Sequence, residues 1–211
     1  EPYYLEALRR DPGDSRCNNA LGLLLYRRGK FAEAENHFRA AVRRQTLRNP
    51  NPYDGEACYN LGLALKMQGR FSDTFAAFHK AVWNAAWQDA AYFELARLAS
   101  RKGDYARALE DAGRSLNRNW RHHQARHLKI DLLRRMGHKA QAQTETMLSL
   151  ELDALEPGAL WERFLLDGDP TFEQKFRADP ELRTALALDY TQAGLYDEAA
   201  GLLQAPAAHL P

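Results

Sequence analysis

Residues 60–82 read NLGLALKMQGRFSDTFAAFHKAV, and the fold follows from how this stretch is parsed. Apolar residues recur at helical spacing before Gly69 (Leu61, Leu65) and again after it (Phe71, Phe78, Val82), the pattern of two helices each with one buried side. Between them Gly69 stands where a chain leaving a helix commonly needs a left-handed residue to stop and reverse. The stretch therefore predicts helix, glycine turn, helix.

The same pattern is copied along the chain. Forty residues upstream it reads Leu21-Gly22, Gly29, Phe31, Ala34, Phe38, Ala41. Thirty-four residues downstream it reads Leu95-Ala96, Gly103, Tyr105, Ala108, Ala112, Ser115, and a further thirty-four gives Lys129-Ile130, Gly137, Ala142, Leu150. A last copy lies at Leu186-Ala187, Tyr190, Gly194, Tyr196, Ala199, Leu203. Gly22, Ala34 and Ala108 occupy positions where two helices must approach closely, which favours small side chains. A hairpin of this size cannot bury its apolar face alone, and stacking on its neighbours solves that problem. A fixed period in this range marks a repeat array.

The run NNALGLLLYRRGKFAEAENHFRAAV and its copies resemble the tetratricopeptide repeat, whose pattern of about 34 residues reads W-x2-LG-x2-Y, then A-x3-F, then Pro. The resemblance covers nearly the whole chain. It departs at Thr74, where Ala is usual, at Trp120 in place of the closing Pro, and at Lys129-Ile130 in place of Leu-Gly. It implies an all-α, right-handed α-solenoid of stacked helical hairpins. The expected units are 15–48, 55–88, 89–122, a degenerate 123–156, and 180–211 with a truncated end. Residues 1–12 read as the second-helix tail of a preceding repeat, so the chain is expected to be a fragment of a longer, bacterial protein, and the last unit is expected to trail off at AAHLP. The ratio of 22 Arg to 7 Lys, suggestive of a GC-rich genome, points to the same source.

Two segments break the period. Residues 49–54 are an insertion in which Pro50 and Pro52 forbid continued helix, so either the preceding helix runs on into Leu47 or a loop protrudes. From Gly137 to Gly194 the spacing is 57, and residues 157–179 read as an eroded pair of short helices with Trp161 and Phe164 buried.

The totals narrow the function classes. Net charge is +1, which speaks against nucleic acid, and no apolar run approaches the length of a membrane span. The charge is unevenly placed: residues 1–140 carry 25 Lys+Arg against 15 Asp+Glu, while residues 141–211 carry 4 against 13. Such asymmetry can steer an anionic partner or favour weak head-to-tail self-association. Cys17 and Cys58 read as free thiols, in keeping with a reducing, cytoplasmic compartment. His123 and His127 lie four apart on one helix face, but no third ligand has a clear spacing to them, so no metal is expected. Asp167-Gly168-Asp169-Pro170 reads as a turn and cap. No serine sits in a nucleophile elbow and no glycine run has phosphate-loop spacing, so neither an active site nor a cofactor is expected. Trp83, Trp87 and Trp120 are expected to pack in the turns where units meet.

In the family, first helices line a concave groove, and their exposed stripe recognises a partner. Carried onto this chain, the stripe is Arg16, Asn19, Tyr26 and Arg27, then Tyr59, Asn60 and Lys66, then Phe93, Glu94, Arg97 and Arg101, then His127, Asp131 and Arg134. Arginines interleaved with aromatics suit an extended protein segment of acidic or mixed charge. The family's carboxylate clamp is matched only at its middle Asn, Asn60. Asn19 and Leu23 stand where Lys and Asn belong, and Ala90 and Glu94 where Lys and Arg belong, so capture of a chaperone tail is not expected. The resemblance thus implies a non-enzymatic interaction scaffold. The alternatives are an accessory region beside a catalytic domain, one acting on carbohydrate for instance, and a self-association module.

Overall fold

The structure, a computed structural model, describes residues 1–51, 54–177 and 179–204. Among the described residues it holds thirteen α-helices, one 3-10 turn and no strand. The helices are α1 (Pro2–Arg10), α2 (Ser15–Arg27), α3 (Phe31–Thr46), α4 (Glu56–Met67), α5 (Phe71–Ala81), α6 (Gln88–Arg101), α7 (Tyr105–Arg118), α8 (His123–Arg135), α9 (Lys139–Leu152), α10 (Pro157–Asp167), α11 (Thr171–Phe176), α12 (Pro180–Gln192) and α13 (Tyr196–Gln204). Of the insertion at 49–54, residues 52 and 53 lie outside the described residues, as does the AAHLP end. The chain divides into two compact units, residues 1–95 and 96–211, with the division falling inside α6.

In the first unit each helix packs on the next from α1 to α5, and the first helices α2 and α4 also touch. Its core gathers Leu21, Leu25, Ala34, Phe38 and Ala64, with Leu8, Leu23, Tyr26 and Leu61 packed around them. The Leu-Gly pair has a steric reason. A Cβ on Gly22 would lie 2.6 Å from the ring of Phe38, and one on Gly62 would lie 2.5 Å from the ring of Phe78. Both phenylalanines are fully buried. Glycine in the first helix therefore lets the phenylalanine of the second lie flat against its backbone, once per hairpin.

The turn is equally regular. Gly69 has φ +72° and its N–H donates to the Lys66 carbonyl at 3.0 Å, while Arg70 N–H donates to the Leu65 carbonyl at 3.0 Å. These bonds satisfy carbonyls that the helix end would otherwise leave bare. Gly29, Gly103, Gly137 and Gly194 repeat the conformation, with φ between +75° and +79°.

In the second unit the hairpins α8–α9 and α12–α13 flank the shortened pair α10–α11, in which α11 has only 6 residues. Ile130, Leu133, Ala142 and Leu166 form a core with Leu109 packed on it. Trp161 is buried as expected, set against Phe172 at 5.1 Å and stacked at 5.3 Å on Phe164, which is itself only half-buried because it forms the outer layer of the stack. The turn after α10 has Gly168 in the left-handed region at φ +72° and Asp169 accepting from the Thr171 N–H at 3.0 Å.

The tryptophans depart from expectation. Trp87 packs on Tyr59 with ring centroids 5.0 Å apart, but Trp83 and Trp120 are 57% and 55% exposed. Both follow a helix end, where the chain turns away and leaves the indole on the outer side. The Arg121 guanidinium lies 4.8 Å from the ring centre of Trp120.

Candidate partner-binding surfaces

The first-helix stripe behaves differently in the two units. In the first, α2 begins at Asp14, whose carboxylate accepts from the Cys17 N–H at 2.7 Å, an N-cap that fixes where Arg16 and Asn19 emerge. Asn60 Nδ2 on α4 donates to Asn19 Oδ1 on α2 at 3.0 Å. Six residues further along α4, Lys66 Nζ meets Glu94 Oε2 at 2.6 Å, joining α4 to α6. Tyr26 completes this end: it is half-buried against Phe31 at 5.3 Å, and burial together with the Glu94 charge raises its hydroxyl pKa. Arg16 and Arg27 are exposed and have no ion-pair partner among the described residues. Tyr59 turns instead toward Phe78 and Trp87, and Phe93 is buried. Contrary to expectation, Asn60 and Glu94 are also buried, because each is engaged by its neighbour across the helices, so the accessible part of this face is the half-buried Asn19, Tyr26 and Lys66 with the exposed Arg16 and Arg27.

In the second unit the corresponding side chains are engaged by the chain itself. Arg97 Nη2 donates to Asp189 Oδ1 at 2.7 Å, and Gln124 Nε2 reaches both oxygens of Asp189 at 3.0 Å. Arg101 donates to the Thr191 carbonyl at 3.1 Å. The Gly194 turn lies so close that a Cβ there would be 2.7 Å from the Arg101 Cα. The α12–α13 hairpin is therefore seated on this face.

Beneath it lies a buried polar cluster. His127 Nε2 is 2.9 Å from the Tyr190 hydroxyl, which in turn donates to the fully buried Glu162 carboxylate. Arg134 Nε donates to Glu162 at 2.8 Å, and its Nη2 donates to Asp131 and Glu198, each at 2.8 Å. Arg135 bridges Asp131 and Glu198 as well. Burial and the neighbouring Glu162 charge push Asp131 up to about 7, against the opposing pull of Arg135 and Arg134. For His127, burial alone would lower the pKa, but the neighbouring Glu162 carboxylate, 3.7 Å away, and the charges of Glu156 and Asp131 outweigh it and raise it. Glu162 is held below the usual carboxylate range because His127 and Arg134 overcome its burial.

Sequence reasoning placed Arg97, Arg101, His127, Asp131 and Arg134 on this face but missed what covers them: Gln124, Glu162, Asp189, Tyr190 and Glu198. The charge asymmetry was the available signal. The acidic residues after 141 serve within this unit as counter-ions to the basic residues before it, Arg126 and Lys129 with Glu145 among them.

Comparisons with known proteins agree with this architecture. A family model described as tetratricopeptide repeat matches residues 1–46 and 19–91. The crystal structure of YrrB, described as a TPR protein with an unusual peptide-binding site, is similar at 14% identity, with TM-score 0.65 over 96% of this chain and 93% of that one. The pilF structure from Pseudomonas aeruginosa is similar at 16% identity, with TM-score 0.67 over 94% and 86%. MamA is similar at 18% identity, with TM-score 0.61 over 79% and 88%. No helix among the described residues is long and apolar enough to cross a membrane.

Proposed function

We propose that this chain, whose residues 1–91 match the tetratricopeptide repeat and whose fold is that of tetratricopeptide repeat structures, acts as a protein-interaction scaffold that holds an acidic or mixed-charge peptide segment on the first-helix face of its first unit. The observation that carries the reading is the pair Arg16 and Arg27, exposed and without ion-pair partners among the described residues, flanking the Asn19–Asn60 and Lys66–Glu94 line. Arginine presents a planar fork that suits a carboxylate. The corresponding face of the second unit is a poorer candidate, because a ligand there would have to displace α12–α13.

The test is a peptide selection on the whole chain, followed by titration of a selected peptide at low and high salt. The expected outcome is enrichment of acidic sequences whose affinity falls with salt. Arg16→Glu with Arg27→Glu should weaken capture about tenfold or more, or ~1.4 kcal/mol. Selected peptides that bind this double variant as well as the parent would remove the first-helix face from consideration.

A further inference from the structure

A second surface of the first unit lies between its second helices. Here α3 and α5 stand apart over α4, leaving a cavity of about 360 Å³. Arg39, Val42 and Arg43 line it from α3, and Asp73, Ala76, Ala77 and Lys80 line it from α5. Cys58, Leu61 and Leu65 of α4 form its floor. The space exists because α5 turns two alanines toward Val42. Its large side chains go elsewhere, Phe78 onto Gly62 and Phe75 onto His79.

The cavity is apolar at its base and basic at one end. Burial pushes the Cys58 thiol pKa up, so the floor stays uncharged. Arg39 is held by Glu35 and Asp73 by Arg70, but Arg43 and Lys80 are exposed and have no ion-pair partner among the described residues. Both sit in the last turns of their helices. An apolar pocket beside two unneutralised cations is complementary to a large apolar side chain followed by carboxylates.

We infer that this groove docks an acidic amphipathic segment of a partner protein, with a leucine-sized or larger side chain on Leu61 and Leu65 and carboxylates on Arg43 and Lys80. A protein segment fits better than a nucleic acid. Among the described residues no aromatic ring lines the groove to stack a base, whereas single-strand binding depends on such stacking. The volume is at the small end of ligand-sized pockets, enough for one or two anchoring side chains. The site is distinct from the first-helix face proposed above and does not depend on it.

The test uses the full chain and a labelled amphipathic peptide of leucine and glutamate, with a lysine-for-glutamate version and a single-stranded oligonucleotide as comparison probes. The glutamate peptide should bind and the lysine peptide should not. Arg43→Glu with Lys80→Glu should weaken binding at least tenfold. Ala76→Trp, which fills the cavity at an exposed position without changing charge, should also weaken it. Arg16→Glu with Arg27→Glu should leave it unchanged. The inference is overturned if millimolar glutamate peptide does not bind, if neither groove variant matters, or if binding is lost only in the Arg16 and Arg27 variant. It is likewise overturned if the oligonucleotide binds more tightly than the peptide and is released by the Arg43 and Lys80 change.

Discussion

Replacing Glu162 with alanine is expected to destabilise the second unit by about 3–5 kcal/mol, the range for deleting one member of a buried, hydrogen-bonded ion cluster. Glu162 is wholly buried and accepts from the Tyr190 hydroxyl and from Arg134 Nε, so its loss leaves both of those buried donors without an acceptor, while Arg134 Nη2 keeps Asp131 and Glu198. Glu162→Gln keeps an acceptor for Tyr190 but no charge for Arg134, and should fall between the parent and alanine. Urea denaturation read by helical circular dichroism measures both. A loss below about 1 kcal/mol for alanine, the scale of a solvent-exposed pair, would show that the cluster does not hold the hairpin.

The same cluster gives the second unit a pH dependence of definite sign. Asp131 stands at about 7 in the folded chain against an ordinary 3.8, so its contribution is complete below about 3.8 and is lost as pH rises through about 7. His127 is raised above its ordinary 6.5, so its contribution is complete below 6.5 and is likewise lost with rising pH. Glu162 is lowered and works the other way, losing its contribution as pH falls below its ordinary 4.5. The groups facing them are Arg134 and Arg135 of α8, Glu156 at the start of α10, Tyr190 of α12 and Glu198 of α13. Thermal melts followed by the buried Trp161 should therefore show stability declining from mildly acidic to mildly alkaline buffer. Asp131→Asn should flatten the slope, and an unchanged slope would mean that Asp131 does not titrate in this range.

In the first unit the largest effect is expected at Phe78. Phe78→Ala should cost about 3–5 kcal/mol, the usual range for emptying a fully buried phenylalanine site. The informative comparison is with Gly62→Ala. In the parent the added methyl would sit 2.5 Å from the Phe78 ring and should destabilise. In the Phe78→Ala background the ring is gone, and alanine's helix propensity, worth about 1 kcal/mol over glycine, should make the same change stabilising. Urea titrations of the four proteins in this cycle decide it. Equal costs in both backgrounds would mean that the glycine is not there for the ring.

The hairpins were legible because each residue type answers a local demand. Gly22 with Phe38 and Gly62 with Phe78 are spaced to meet across one turn, and Gly29 and Gly69 close that turn, so a short window contains the whole argument. The candidate face was legible in part. Arg16 and Arg27 emerge from it, but Tyr59 and Phe93 turn inward, because a first helix between two neighbours has more of its circumference covered than one periodic stripe suggests. The pairing of Arg97 with Asp189 could not be read at all. The two lie 92 residues apart, and which acid meets which base is set by the path of the shortened pair α10–α11, where the period is lost.

Gly194 shares its left-handed φ with the other turn glycines, yet Gly29, Gly69, Gly103 and Gly137 face open space, whereas Gly194 lies against the backbone of Arg101. Five identical letters of a repeat signature are thus not interchangeable to an engineer. Four could pass to asparagine, which tolerates the backbone angle, at modest penalty. The fifth is also a spacer, and any side chain there would wedge the terminal hairpin off its seat while leaving the hairpin itself intact.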